Sequence, residues 1–367
     1  MARPKNQELR DFLLKNIPTH PGNIAVLAAN TFNLSRASVN GYLRALMAEG
    51  IIEATGRTNS RKYKPKVLDE FADDLPITAD MKEDVVLRER LSPHLRELPQ
   101  NIRSICEYGF TEMLNNAIEH SEGTFCKIRF SRNYTTVSLD IIDNGVGIFD
   151  KIAHECHLAD KRQAILELSK GKLTTDSRNH TGEGIFFTSR MFDSFSIWSG
   201  DLRYTRTKRD DDEWLIESAL QKRLVAIRFG KEFARGTWVA MKIPTNAKQT
   251  AKEIFDEFVD DDARFSRTHV PLTLAKYEGE NLVSRSQARR LLARVERFSE
   301  VMLDFNGINE IGQAFADEIF RVWTREHPEV KVMSEHASED VQRMIRHALA
   351  NAAELGDAAA SKSSRKL

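Results

Sequence analysis

The chain has 367 residues, 41% hydrophobic and 29% charged, with 54 Lys/Arg balanced by 54 Asp/Glu. That length suits two or three domains with cores of their own. No run of eighteen apolar residues occurs, and the opening MARPKNQELRDFLL lacks the apolar stretch and cleavage site of a signal peptide. A cytoplasmic protein with no membrane association is therefore expected. Cys106, Cys126 and Cys156 fit neither a disulfide framework nor a zinc pattern and read as reduced packing residues.

The neutral total hides an asymmetry. Residues 1–66 carry eleven Lys/Arg against four acids, a balance of +7, whereas residues 67–90 carry eight acids against three bases. A basic head followed by an acidic linker is the expectation, with a polyanion as the head's partner. Within the head, Gln7–Asn16 and Ile24–Asn30 read as short helices. Ser35 caps a third, ending at Gly50, whose Val39, Tyr42, Leu43 and Leu46 repeat at one buried face. IIEATGRTNSRKYKP then alternates around a polar turn and reads as a β-hairpin.

From 91 to 247 the pattern predicts a helix over Ile102–Ser121, then two alternating strands in FCKIRFSRNYTTVSLDIID. A polar, glycine-punctuated loop is expected from Asp143 to Gly184, then a helix and further strands ending in GTWVAMKIP. Residues 265–352 alternate strand and helix three times, which predicts a small, largely parallel, helix-covered sheet. Residues 353–367 read as a disordered tail.

The sharpest chemical signal is EMLNNAIEH at 112–120. Glu112, Asn116 and His120 follow one another at i+4 and share a face, opposite an apolar face of Phe110, Met113, Leu114, Ala117 and Ile118. A carboxylate beside an amide oxygen suits Mg²⁺, and the carboxylate is also a candidate base. Alone, such a stripe is more often a solvated helix face. Two glycine motifs follow. In DNGVGI, Asp143 precedes Gly145 and Gly147, which allow close approach of the backbone to a ligand. In HTGEGIFF, Gly182 and Gly184 open a helix whose first N–H groups suit phosphate.

In order and context these segments resemble the N, G1, G2 and G3 boxes of the GHKL ATPase superfamily of gyrases, heat-shock chaperones, histidine kinases and mismatch-repair proteins. The resemblance covers about residues 90–247 and implies a Bergerat-fold α/β sandwich that binds ATP and Mg²⁺. It implies Asn116 on the metal, Glu112 as general base and Asp143 on the adenine amine. Gly145, Gly147, Gly182 and Gly184 would shape the adenine site and a phosphate lid, with Thr237 at the adenine end. Lys170, Lys172, Thr174, Thr175 and His180 fall in that lid. No P-loop sequence is present, and no phosphoacceptor-histidine helix pair precedes the domain.

VMLDFNGINEIGQAFADEIF resembles a STAS domain of the anti-anti-sigma type, and also the STAS-like DUF4325 domain. The position where such domains carry a phosphorylated serine reads Ile311-Gly312-Gln313-Ala314 here, without a hydroxyl. The head resembles a winged helix-turn-helix. That implies Arg36, Ser38, Asn40 and Arg44 toward a major groove and Arg57, Arg61, Lys62 and Lys64 on phosphates. The fold class expected is thus multidomain α+β: winged helix, ATPase sandwich, then a small α/β STAS-like domain. The function expected is an ATP-dependent regulator acting through DNA bound by residues 1–66 and a protein partner of the STAS-like domain. A serine/threonine kinase of the anti-sigma type and a non-catalytic ATP-binding scaffold are the alternatives, and a homodimer is implied by resemblance alone.

Overall fold

The computed structural model describes residues 4–57, 60–173, 182–208, 212–276 and 280–363. They form a mixed α/β protein with three sheets. In the head, α1 (Pro4–Asn16), α2 (Ile24–Phe32) and α3 (Arg36–Ala48) precede the antiparallel pair β1 (Ile52–Thr55) and β2 (Lys62–Pro65). Asn33, in the left-handed conformation at φ 52°, ends α2, and the Ser35 hydroxyl accepts from Ser38 N at 3.1 Å to start α3. Val39, Leu43 and Leu46 point inward with Leu13, Ile24 and Tyr63 into a core of the head's own.

Strand β3 (Val67–Pro76) is the first correction. The segment expected as an acidic linker is the edge strand of a seven-stranded antiparallel sheet, paired with β4 (Phe125–Asn133). Its acids have partners on two sides: Asp74 meets Lys127 on the neighbouring strand at 2.5 Å, while Asp73 meets Arg90 at 3.3 Å and Asp69 meets His94 at 2.9 Å on the helical segment that follows. Phe71 and Leu75 alternate with those acids and pack on the main core. The linker's second half is helical from Glu83: α4 (Glu83–Val86) runs through a π turn (Leu87–Leu91) into α5 (Ser92–Leu95), beyond the expected linker.

Helix α6 (Gln100–Asn115) runs on through a π turn to His120, and β4 and β5 (Thr136–Asp143) follow. The expected long loop contains α7 (Ile148–Glu155) and α8 (Arg162–Lys170); residues 144–147, 156–161 and 171–173 between and after them are irregular, and 174–181 lie outside the described residues. Then come α9 (Gly184–Met191), β6 (Ser194–Ser199), β7 (Leu202–Thr207), β8 (Asp212–Glu217), α10 (Ala219–Phe229), β9 (Thr237–Pro244) and α11 (Ala251–Phe258). The strand order is β3-β4-β5-β9-β6-β7-β8. Successive residues face opposite sides, so Ile141, Val239 and Met241 join the main core with α6 and α9. Ile142, Trp238 and Ala240 meet Val225 and Phe229 of α10 on the other face.

The last unit is the parallel sheet β10 (Arg267–Pro271), β11 (Glu300–Asp304) and β12 (Lys331–Glu335), with α12 (Arg285–Leu292), α13 (Gln313–Asp317), α14 (Thr324–Glu326) and α15 (Glu339–Ser363). Helix α15 continues through residues expected as a tail. Capping boxes at Thr250/Glu253 and Ser284/Gln287 start α11 and α12. This unit shares one apolar core with the central sheet. Among the described residues, no helix is long and apolar enough to cross a membrane.

Candidate functional site

A cavity of about 290 Å³ opens between α6, β5, β9 and the N-terminus of α9. Glu112, Asn116, Asp143, Gly147, Gly182, Gly184 and Thr237 all line it, so residues 125 positions apart in the chain converge on one space. Gly145 stands behind the wall. A Cβ there would lie 2.0 Å from Ser121 O, so the backbone after β5 passes too close to α6 for any side chain.

The floor is apolar: Ile141 and Val239 from adjacent strands, with Ile148, Ile152 and Leu168 from α7 and α8. At its end sits Asp143, 5% exposed. Its Oδ1 accepts from Gly145 N at 2.8 Å and Thr237 N at 3.1 Å. Burial pushes the carboxyl up to about 6, against the pull of those hydrogen bonds. Gly236 makes this possible, because a Cβ there would strike Asp143 O at 2.0 Å. The Thr237 hydroxyl accepts from Ile148 N at 3.1 Å, tying β9 to the start of α7. Gly147, at φ +88°, begins that helix in a conformation L side chains resist, with Arg235 O and Ser199 Oγ each 2.6 Å from a notional Cβ.

At the opposite end the Glu112 carboxylate lies against the first turn of α9. A Cβ on Gly184 would be 2.0 Å from Glu112 Oε2. Asn116 stands one turn further along α6, where the helix loosens into its π turn, a feature common at functional sites. Glu112 and Asn116 oxygens, beside the exposed N–H groups of a helix N-terminus, are hard donors suited to Mg²⁺ and a polyphosphate. Lys151, one turn into α7, also lines the cavity and pairs with Glu122 at 3.0 Å. It lies four residues after Gly147 on the inner face of an eight-residue helix, a spacing that marks it once that helix is recognised.

Two residues assigned to the phosphate lid are elsewhere. Lys170 is buried, its Nζ donating to Glu167 at 2.8 Å and to Ala293 O at 2.8 Å, and burial lowers its pKa. Lys172 Nζ donates to Arg297 O at 2.8 Å and lies over the Phe298 ring. Both are held by the C-terminal unit, because α8 ends against β10 and α12 instead of leading freely into a loop. Thr174, Thr175 and His180 lie outside the described residues.

In the head, Arg36, Ser38, Asn40 and Arg44 are exposed on α3, opposite its buried Val39 and Leu43. Arg57, Arg61, Lys62 and Lys64 are exposed along the hairpin. Four of the eight side chains have local partners: the Ser38 hydroxyl bonds Ser35 Oγ at 2.9 Å, Arg44 Nε donates to Asn40 O at 3.4 Å, Arg61 lies 6.0 Å from the Tyr63 ring centre, and Lys64 pairs with Glu53 at 2.9 Å. Cys106 and Cys126 are buried, their thiols pushed well up by desolvation, as expected of packing residues.

With this geometry in hand, comparison with known proteins defines one part of the chain as a small α/β domain of the STAS-like class. Residues 287–342 match the STAS-like domain of unknown function DUF4325. The match spans α12 to the start of α15, with β11 and β12 inside it. The chain matches no curated protein.

Proposed function

We propose that the central unit binds ATP with Mg²⁺ as a Bergerat-type ATPase, and that nucleotide state governs what the flanking units bind. The observation that carries this reading is the arrangement of one cavity with two chemically different ends. A buried carboxylate aimed along an apolar slot suits an exocyclic amine, and oxygen donors facing a glycine-rich helix N-terminus suit Mg²⁺ and phosphates.

In this reading Asp143 accepts from the adenine amine and Thr237 holds the base edge, with Ile141 and Val239 against the ring. Asn116 holds Mg²⁺, and Glu112 orients or deprotonates the attacking water at the γ-phosphate. The metal would supply charge neutralisation on the phosphates. Gly182 and Gly184 let the α9 N-terminus approach them. The head is read as a winged helix that binds DNA, supported by its +7 balance and the exposed cations on α3 and the hairpin.

Nucleotide state has a route outward. Residues 170–172, at the start of the segment that reaches Gly182, are bound to Ala293 and Arg297 of the STAS-like region. Gly182 packs against Leu173, so a phosphate held at the α9 N-terminus bears on the C-terminal unit through residues 170–173. A kinase acting on its own Gly312–Gln313 turn is disfavoured, since no hydroxyl stands there. Glu112→Gln tests the ATPase reading: turnover should fall about 10²–10⁴-fold with ATP binding retained. Unchanged hydrolysis in that variant, or no hydrolysis in the parent, would contradict an enzymatic role.

A further inference from the structure

The C-terminal parallel sheet has one face in the core, through Val270, Val301 and Leu303, and one face that is not. On that second face, at the carboxyl ends of the three strands, ionisable side chains converge. Asp304 and Glu335 are aligned in register as the last residues of β11 and β12. His269, one pleat back on β10, shares their face by the period of two. One oxygen or nitrogen from each of the three lies within 4.8 Å of the others. His269 Nε2 is hydrogen-bonded to Glu335 Oε1 and lies 3.8 Å from Asp304 Oδ2.

Charge makes the cluster unusual. Asp304 is 4% exposed, and a buried carboxylate is costly unless it is paired. Among the described residues, no Lys or Arg pairs with Asp304 or Glu335; their ionic partners are His269 and His336 alone. Two carboxylates thus share one sheet edge with two imidazoles. His336 Nδ1 sits 2.9 Å from Asp304 Oδ1, and Asn306 N donates to the same oxygen at 2.9 Å. That fixes the carboxylate and leaves Oδ2 turned toward His269.

We propose that His269 Nε2, Asp304 Oδ2 and Glu335 Oε1 bind a divalent transition cation, with His336 orienting Asp304 from behind. Bonds of about 2.0–2.2 Å around a four-coordinate ion place ligand atoms on the order of 3.5 Å apart. The Asp304 arm meets that spacing as it stands; the His269–Glu335 hydrogen bond opens to admit the ion. One imidazole with two carboxylates favours Zn²⁺ or Mn²⁺ over Ca²⁺ or Mg²⁺. Three protein ligands leave a position for water or a partner's donor. The location follows the general preference of open α/β sheets for ligands beyond the carboxyl ends of their strands. The second-sphere hydrogen bond to Asp304 matches the way metal ligands are usually held.

The site is distinct from the nucleotide cavity, and its test is independent of it. The full chain, stripped with chelator, is titrated calorimetrically with Zn²⁺ and with Mn²⁺ in the absence of nucleotide. One equivalent should bind, with affinity reduced at least about tenfold in His269→Ala and in the volume-preserving Glu335→Gln, and unchanged in Asn116→Ala. The Co²⁺-loaded protein should show no thiolate charge-transfer band, which keeps the three cysteines out of the site. Absence of binding by both ions overturns the proposal, as does binding that both His269→Ala and Glu335→Gln leave intact. Glu335 is part-exposed, so its variant is expected to fold, and a far-UV spectrum matching the parent verifies this.

Discussion

The head and the C-terminal unit flank the same central sheet but are attached to it in opposite ways. The head keeps a separate apolar core and continues from β2 into β3 through Lys66, with Arg10 over the Tyr134 ring as a contact across the gap. The C-terminal unit has no separate core. Phe186 and Phe187 of α9 pack directly on Phe258 and Phe265, Phe265 packs on Phe298, and Thr268 Oγ1 donates to Lys170 O at 2.6 Å. A unit tethered by one strand moves with little cost, whereas one that shares buried rings with a cavity wall feels every change in that wall. Helix α9, whose N-terminus closes the candidate nucleotide site, is that wall.

The largest expected effect lies at the seam. Lys170→Met leaves Glu167 buried with Arg294, at 3.4 Å, as its remaining ionic partner among the described residues, and should destabilise the chain by about 3–5 kcal/mol in chemical unfolding. Nucleotide affinity should fall with it. Next comes Asp143. Its folded carboxyl titrates at about 6, above the ordinary 3.8. ATP affinity should therefore fall as pH drops below 6, by up to about tenfold per unit, because the protonated acid no longer accepts from the amine. Stability runs the other way: the folded state holds this proton more tightly than the unfolded one, so this group's contribution rises as pH falls from 6 toward 4. In Asp143→Asn the difference in pH profile should vanish, and comparing the two proteins at each pH cancels the titration of ATP itself.

The head should respond to a different set of variables. Replacing Arg61 and Lys62 together by Ala should weaken binding to duplex DNA uniformly across sequences. The slope of log affinity against log salt should lessen by about two, with ATP binding unaltered. A loss of ATP affinity in this variant would show the head to be coupled as tightly as the C-terminal unit. The smallest effect is expected for Arg10→Ala, within about 0.5–1 kcal/mol of stability, since the Arg10–Glu49 pair at 2.6 Å is open to solvent on the Glu49 side.

How much of this was legible in the sequence depended on whether a residue's role was local. The α6 face, the strand ending in Asp143 and the glycines around it are set by spacing and backbone freedom, and they lie around one cavity. Strand β3 was hidden because its period of two is carried by acids whose cations lie on other elements, Lys127 and Arg90. Helices α7 and α8 were hidden by polar composition and by the glycines that bound them. Lys170 and Lys172 were misplaced for a related reason: a lysine before a glycine-rich loop looks solvated until the partner carbonyls of Ala293 and Arg297, over 120 residues away, are known. The His269–Asp304–Glu335 cluster had no motif at all, because only the parallel register brings the three strands' ends together.

The central claim is adenine nucleotide binding in the cavity between α6 and α9. Calorimetric titration of the full chain with Mg-ATP and Mg-GTP tests it most directly, since guanine presents a carbonyl where adenine presents the amine that Asp143 would accept. The account predicts one ATP site per chain, at least about a hundredfold weaker binding of GTP, and loss of that preference in Asp143→Asn. No heat with ATP, or equal affinity for the two nucleotides, would contradict it.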